Sequence, residues 1–590
     1  MKIFTPRYEE IRFALDVWAE LPELLRLPSV EERNPDVISD VVNEAGRFAT
    51  QVLAPLDVVG DRKGSHLRNG HVHTPPGWQD AYQRFVGLGW NTVHFPTEIG
   101  GQGLPIPVSV AVSEMFNSAN VAFCLGLMPF PGVVALLASL GTERQKALYL
   151  PALVSGRWTA TLAITEPQAG TDLGALRTKA EHIDAWEYRI KGSKCFITYG
   201  DHELCENILH FVLARSPSGK HGSKGLSLYI VPKFSVFEDG SLGERNDVRC
   251  VALEAKIGVH ASPTATMVFG EEHGATGELL GEEDHGLEHM FKVLNRARLN
   301  ISVFGLASAE AAYQAALDYA QERVQGVDSQ GTPCAIIRHP DVRRMVLDMH
   351  ASVDAMRAMV YYTASVAERA QHQPGEQERQ KYAKLLDFLT PIVKAWVTEN
   401  GFATASTGVQ IAGGAGYVYE SRASQYFREA RVHTIYEGTT GVQAKDLVFR
   451  KVVRDGGETA MYLLDQMYGD LEAYKDVEAV RGCEPIVARA LDALRATTQW
   501  MLSLDAGEPD KREAVAVHYL NLWGAGLGAW LLMKGTVEAS RAGALHSLSE
   551  SFISQKRTAT HYFTVHRLLP ACALKEVIMT GSSAVLNFDP

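Results

Sequence analysis

The chain has 590 residues and a formal net charge of −12, with 46% of its residues apolar and 21% charged. That length exceeds a single hydrophobic core and predicts several domains of an ordinary globular protein. The acidic balance, with Lys and Arg scattered along the chain, argues against a nucleic-acid partner held by phosphate contacts. Seven singly placed cysteines argue against a disulfide or zinc framework and fit a reducing, cytoplasmic setting with no metal site.

The first third has helical periodicity, with amphipathic segments near residues 7–22, 34–56 and 77–90 and two more after the Gly-rich loop Glu98–Pro105. Charges near the N-terminus interrupt what would be the apolar core of a signal peptide, so no secretion is expected. The uncharged run 120–140 has the length of a membrane span, but Pro129 and Pro131 break it midway, which predicts two buried helices joined by a proline turn. Residues 520–533 are too short to cross a bilayer untilted, so no integral membrane segment is expected.

From 159 to 281 the period changes to two, in runs separated by Gly, Pro, Asn and Asp, which predicts a small, mostly antiparallel β domain. Helical periodicity returns over 286–325, 340–369, 377–407 with a kink at Pro391, and 440–453; four such helices predict a bundle. Arg454-Asp455-Gly456-Gly457 reads as a hinge. Further helices, centred on 514–543 and 551–580, read as a separate module, and no internal repeat is present. The expected class is α+β, mainly α: an N-terminal helical domain (1–158), a middle antiparallel β domain (159–281), a four-helix bundle (282–455) and an additional C-terminal helical domain (456–590).

Four blocks carry candidate chemistry. In ITEPQAGTDLGAL, Ile164–Leu176, the residues Thr165, Gln168 and Thr171 sit among small neighbours at a strand-to-loop junction, where a ligand can come close; a tight surface turn explains the block equally well. In KGSKCFIT, Lys191–Thr198, an alternating strand carries Phe196, Ile197 and Thr198, and an aromatic so placed is usually core. Gln410-x-x-Gly413-Gly414-x-Gly416 is a Gly-rich turn at a helix end, either a plain C-cap or bare backbone for a phosphate. In HTIYEGTTGVQAKDL, His433–Leu447, Glu437 precedes a turn that opens a helix, as a general base or as a charge complementing the helix dipole.

In that order the four blocks resemble the acyl-CoA dehydrogenase family, over roughly residues 35–455. The tail, with residues 200–219 and 245–264, is similar to the long bacterial branch that includes methylmercaptopropionyl-CoA dehydrogenase and enzymes for medium and long straight chains. The resemblance implies FAD, an acyl-CoA substrate, α,β-dehydrogenation with Glu437 as base, electron-transferring flavoprotein as acceptor, and a homodimer sharing each flavin. It places Leu162, Ile164 and Thr165 along the isoalloxazine ring, and Thr171 against both flavin and acyl-CoA. Phe196, standing where tryptophan is common, would shield the ring face opposite the substrate, with Ile197 beside it and Thr198 hydrogen-bonded to the ring.

Gln410, Gly413, Gly414 and Arg323 would hold the pyrophosphate of the neighbouring subunit's flavin, and Thr439 would touch the cofactor. Gly438 and Arg298 fall on the substrate side, though Arg298 reads equally as an ion-pair partner on a helix surface. Burial beside an acyl chain and a flavin would raise the pKa of Glu437, by more than the helix N-terminus at Thr439–Gly441 lowers it. The rival readings are an acyl-CoA oxidase with the same base and flavin, a flavin-bearing DNA-binding relative, which calls for a basic tail that is missing here, and a scaffold that has lost its cofactor.

Overall fold

The period-two runs fold as strands and the period-3.6 runs as helices in the computed structural model, which describes residues 4–27, 35–505, 507–542 and 548–589. The helix ends expected at residues 34 and 543 lie outside the described residues. The class is the expected one, mainly α with β structure in the middle of the chain. By packing, the chain forms two units: residues 47–104 with 119–297, and residues 1–46 with 105–118 and 298–590.

The first of these, here the β unit, is built around eight strands: β1 (Trp158–Ala163), β2 (Lys179–Asp184), β3 (Glu187–Thr198), β4 (Asn207–Arg215), β5 (Leu226–Pro232), β6 (Val248–Leu253), β7 (Thr264–Phe269) and β8 (Ala275–Leu280). They run in the order β6-β7-β3-β8-β5-β4-β1, and β2 pairs with both β3 and β4, so β2, β3, β8, β5 and β4 close on themselves. Closure leaves those five without a free edge. The sheet is antiparallel except that β4 runs parallel to β1 and to the end of β2. One face packs Val212, Tyr229, Ile190 and Phe269, and the other packs Phe211, Leu213 and Ile230 on the helices Phe130–Leu140 and Glu143–Val154.

A hairpin, His66–Arg68 with His71–His73, also lies in this unit, where helical periodicity alone predicts none. Its signal is Asn69-Gly70, both at positive φ, as a two-residue hairpin turn requires. The apolar run 120–140 is broken as expected, into helices Val121–Cys124 and Phe130–Leu140 with the prolines between and at the second start. Two stretches, Val121–Leu140 and Pro509–Arg541, are long and apolar enough to cross a membrane by composition, and both are mostly buried inside the protein.

In the other unit, here the helical unit, the long helices Gly286–Glu322, Pro340–His372 and Glu376–Ala412 stand side by side, the first entering the unit at Arg298. Glu376–Ala412 continues through Pro391. Gly286–Glu322 stops three residues before the expected end, where Val324–Val327 and Pro333–Ala335 form a hairpin. Two glycines set how closely the first and third helices approach: a Cβ on Gly401 would lie 2.5 Å from the Gly305 carbonyl oxygen. Seven residues further along both helices, Gly408 lies against Ala312, so the helices run parallel with their faces in register.

Helices Glu458–Tyr474, Glu484–Ser503, Pro509–Ala542 and Glu550–Phe563 complete this unit and share its core: Trp523 meets Phe388 edge-on at 4.9 Å, and Gly524 lies against Trp396. Lys556 is buried between Asp354, at 2.7 Å, and Glu10.

Candidate active site

The predicted residues fall into two groups, one in each unit. In the β unit, the first two blocks meet at the ends of β1 and β3: the Cys195 amide donates to the Thr165 carbonyl at 2.9 Å. Between the β7 partners Ala265 and Met267 the β3 register slips from Ile197 to Lys194, a β-bulge that holds Phe196 at φ +60°. An aromatic residue in the left-handed region costs on the order of 1–3 kcal/mol, and such strain clusters at ligand sites. Here it turns the Phe196 ring outward, 61% exposed, so the expected alternation of β3 fails at this residue. Ile197 points into the core; Leu162, Ile164, Thr165 and Thr198 are half-buried, and Thr171 is exposed on the following loop.

A charged pair fastens this junction. The Lys194 ammonium, 0% exposed, donates to the carbonyls of Ile164 (2.9 Å) and Leu213 (2.7 Å) and to Glu166 (2.9 Å). Burial pushes the lysine down to about 8. Burial also pushes the Glu166 carboxyl up, but the hydrogen bond from Thr178, the Lys194 charge and the Arg177 amide outweigh it and hold Glu166 down at about 2. Gln168 donates its side-chain amide to Glu166 (2.6 Å) and to the Ala175 carbonyl (3.2 Å), which ties it into this turn.

In the helical unit, Glu437 is half-buried at φ +55° and is followed by Gly438 at φ +96°. Its carboxylate accepts no hydrogen bond and its N–H finds no acceptor among the described residues. The turn is held from beneath: Lys394 donates to the Gly438 carbonyl at 2.7 Å, and Gln443 donates to the carbonyls of Glu437 (3.1 Å) and Gly438 (3.4 Å). Thr439 caps the helix Thr440–Lys445 by accepting from the Val442 amide at 3.4 Å, and Thr440 donates to Glu399 at 2.5 Å. Behind the turn, buried His433 shares a hydrogen bond with the Tyr436 hydroxyl at 2.9 Å. Burial, then the Lys394 charge, pushes His433 down to about 3.

Arg298 is buried, not on a helix surface, and pairs with Asp446 at 2.8 Å. Arg298 and Lys394 lie seven residues before Gly305 and Gly401, so the parallel register of the two helices brings both cations under Glu437. Burial raises the pKa of Glu437 and outweighs the opposing pull of Arg298 and Lys394. The direction is the expected one, but the opposition comes from these two cations where the sequence points to the helix N-terminus.

Gln410, Gly413 and Gly414 are exposed at the end of Glu376–Ala412, and Arg323 is exposed at the end of Gly286–Glu322, with its guanidinium on Gln325 at 3.3 Å. Gly413 sits at φ +60°, which favours glycine. Gly414 has ordinary φ, and a Cβ there would meet nothing of the chain within 4 Å, so its own fold does not demand a glycine. Among the described residues neither Arg323 nor Gln410 hydrogen-bonds to the Glu437 group.

Sequence reasoning missed Lys394, Lys194, Glu166 and Asp446. The lysines had a signal, since each is a lone cation in an apolar run, PIVKAWV and SKCFI, and lysine is almost never fully buried unless its ammonium is satisfied.

Known proteins match along the whole length. Residues 39–157, 161–271 and 284–451 match the N-terminal, middle and C-terminal domains of acyl-CoA dehydrogenases, and 469–589 match the acetyl-CoA dehydrogenase C-terminal-like domain. The chain is 39% identical to the 3-methylmercaptopropionyl-CoA dehydrogenase of Ruegeria pomeroyi over 97% of both chains. It is 33% identical to the broad-specificity linear acyl-CoA dehydrogenase FadE5 of Mycobacterium tuberculosis over 94% of both. The Bacillus anthracis acyl-CoA dehydrogenase complexed with FAD shares the fold, with a TM-score of 0.75 and 21% identity over 98% of this chain and 92% of that one. These matches establish that the chain belongs to the acyl-CoA dehydrogenase family of oxidoreductases.

Proposed function

We propose that this protein dehydrogenates an acyl-CoA thioester to the trans-2-enoyl-CoA, with Glu437 as the base. The observation that carries the reading is the free Glu437 carboxylate on a left-handed turn whose carbonyls are all held from below. The α C–H bond breaks, its proton goes to the carboxylate, and its electron pair becomes the α,β double bond. FAD, when bound, supplies the acceptor for the β hydride. Removing a weakly acidic α proton calls for a base near the working pH, and the upward shift of Glu437 by burial moves it that way. The unbonded Glu437 N–H suits the thioester oxygen as negative charge develops there.

The residues present suit the cofactor. Phe196, Thr165 and Thr198 offer an aromatic face and two hydroxyls, and Gly413-Gly414 with Arg323 offers open backbone and a cation for a pyrophosphate. In this reading Thr171, Leu162, Ile164, Gln410 and Thr439 make the contacts that the family resemblance implies, Ile197, whose side chain is in the core, backs the ring-facing strand, and Gly438 and Arg298 lie on the substrate side. The names of the two relatives support two substrate classes, thioether-bearing and linear acyl-CoAs. The reading includes electron-transferring flavoprotein as acceptor, a cytoplasmic location, which the seven free cysteines support, and a homodimer. Exposed Val324, Val327, Tyr417, Val418 and Tyr419 support a second copy covering the helical unit. The four-segment division at 158, 281 and 455 stands as part of this proposal.

The test is an anaerobic titration of the FAD-loaded protein with thioether, branched and linear acyl-CoAs, followed by flavin absorbance. Bleaching by one class, absent in a Glu437→Gln variant that keeps its flavin, supports both reaction and base. A loaded protein that no acyl-CoA bleaches overturns the proposal, and rapid reoxidation by dioxygen in place of electron-transferring flavoprotein would make it an oxidase.

A further inference from the structure

Lysine buried to 0% exposure needs a reason, and at Lys394 no carboxylate lies within ion-pair distance among the described residues. Arg298, the other cation beneath the base, is already paired with Asp446. Among the described residues the other charged and titratable groups acting on Lys394 are the carboxylates of Glu437 and Glu399, the latter also accepting from Thr440, with neutral His433 behind the turn. The ammonium spends one hydrogen bond on the Gly438 carbonyl and leaves its charge facing the Glu437 carboxylate.

We propose that Lys394 is a positioning residue for the base: it fixes the left-handed Glu437-Gly438 turn through the Gly438 carbonyl, and its charge favours the ionised form of the Glu437 carboxylate against the effect of burial. The proposal rests on the assignment of Glu437 as base. It separates two effects of one side chain, holding the turn and setting its charge. Lys394 is pushed down to about 8 by burial, so it carries its charge below that pH. Taking that charge away raises the pKa of the base, and the acid limb of the kcat/KM profile moves to higher pH.

The experiment is the pH profile of acyl-CoA-dependent flavin reduction for FAD-loaded wild type, Lys394→Arg, Lys394→Gln and Lys394→Met. Lys394→Gln keeps a donor for the Gly438 carbonyl and loses the charge; it should move the acid limb up by on the order of one pH unit, the scale set by one nearby opposite charge. Lys394→Met should show the same shift with a further fall in the plateau rate, and Lys394→Arg should keep the wild-type limb. A wild-type limb in Lys394→Gln and Lys394→Met, with flavin bound, overturns the proposal. If Lys394→Gln does not bind FAD, it is combined with Glu437→Gln: recovery of FAD binding supports the charge pairing, and no recovery overturns it. A wild-type enzyme that no acyl-CoA reduces would instead sink the assignment of Glu437 as base, which the same series reveals separately.

Discussion

Replacing Lys194 by methionine tests whether the charged pair beneath the first two blocks holds them together. Methionine matches the length of the lysine stem but donates nothing, so it takes this donor from the Ile164 and Leu213 carbonyls in the interior and leaves the Glu166 carboxylate, still bonded to the Thr178 amide, without its counter-charge. Each buried group left unsatisfied costs about 1–3 kcal/mol. Relief from burying the ammonium offsets part of that sum. Removing one partner of a buried pair leaves a net loss of about 3–5 kcal/mol. At 1.4 kcal/mol per decade this speeds amide exchange through local opening by about 100- to 4,000-fold. Hydrogen exchange followed by mass spectrometry over residues 158–166 and 187–199 of the cofactor-free protein reads the effect directly. Exchange within about tenfold of wild type in both segments would refute the argument, since it would mean that Lys194 is a passenger in the core.

Three further outcomes follow from the geometry. Phe196→Gly removes a strained, exposed ring, so the cofactor-free protein should melt no earlier than wild type while FAD affinity, read by flavin fluorescence, falls about tenfold or more. Lys556→Met leaves Glu10 and Asp354 facing each other in the interior of the helical unit, a loss of about 3–5 kcal/mol that limited proteolysis of residues 550–563 should register. The folded pKa of Glu166, about 2, lies below its ordinary 4.5, so its contribution to stability is complete above pH 4.5 and disappears as pH falls toward 2. Unfolding measured across that window should be less steep in pH for Glu166→Gln, and an unchanged slope would count against the Glu166 network.

Much of the fold and part of the site are legible in local pattern. Side-chain direction repeats every two residues in a strand and every 3.6 in a helix, so burial leaves a record within each segment, and the main helices and strands follow it. The ordered blocks around Thr165, Thr198, Gly413 and Glu437 are equally local, and they carried the family. Asn69-Gly70 was also readable, as a hairpin turn within a stretch otherwise given to helices. What the tertiary structure alone decided lies between segments. Nothing near Phe196 announces the bulge, because it arises from the register of β3 against β7, some 70 residues later. The strand closure through β2 and the burial of Lys394 against a carbonyl 44 residues away are of the same kind. Periodicity records which side of a segment is dry; it carries no information on which distant group will satisfy a charge there. That choice waits for the close approach of two helices at Gly305 and Gly401, which places two cations under one carboxylate, where they oppose the effect of burial on Glu437.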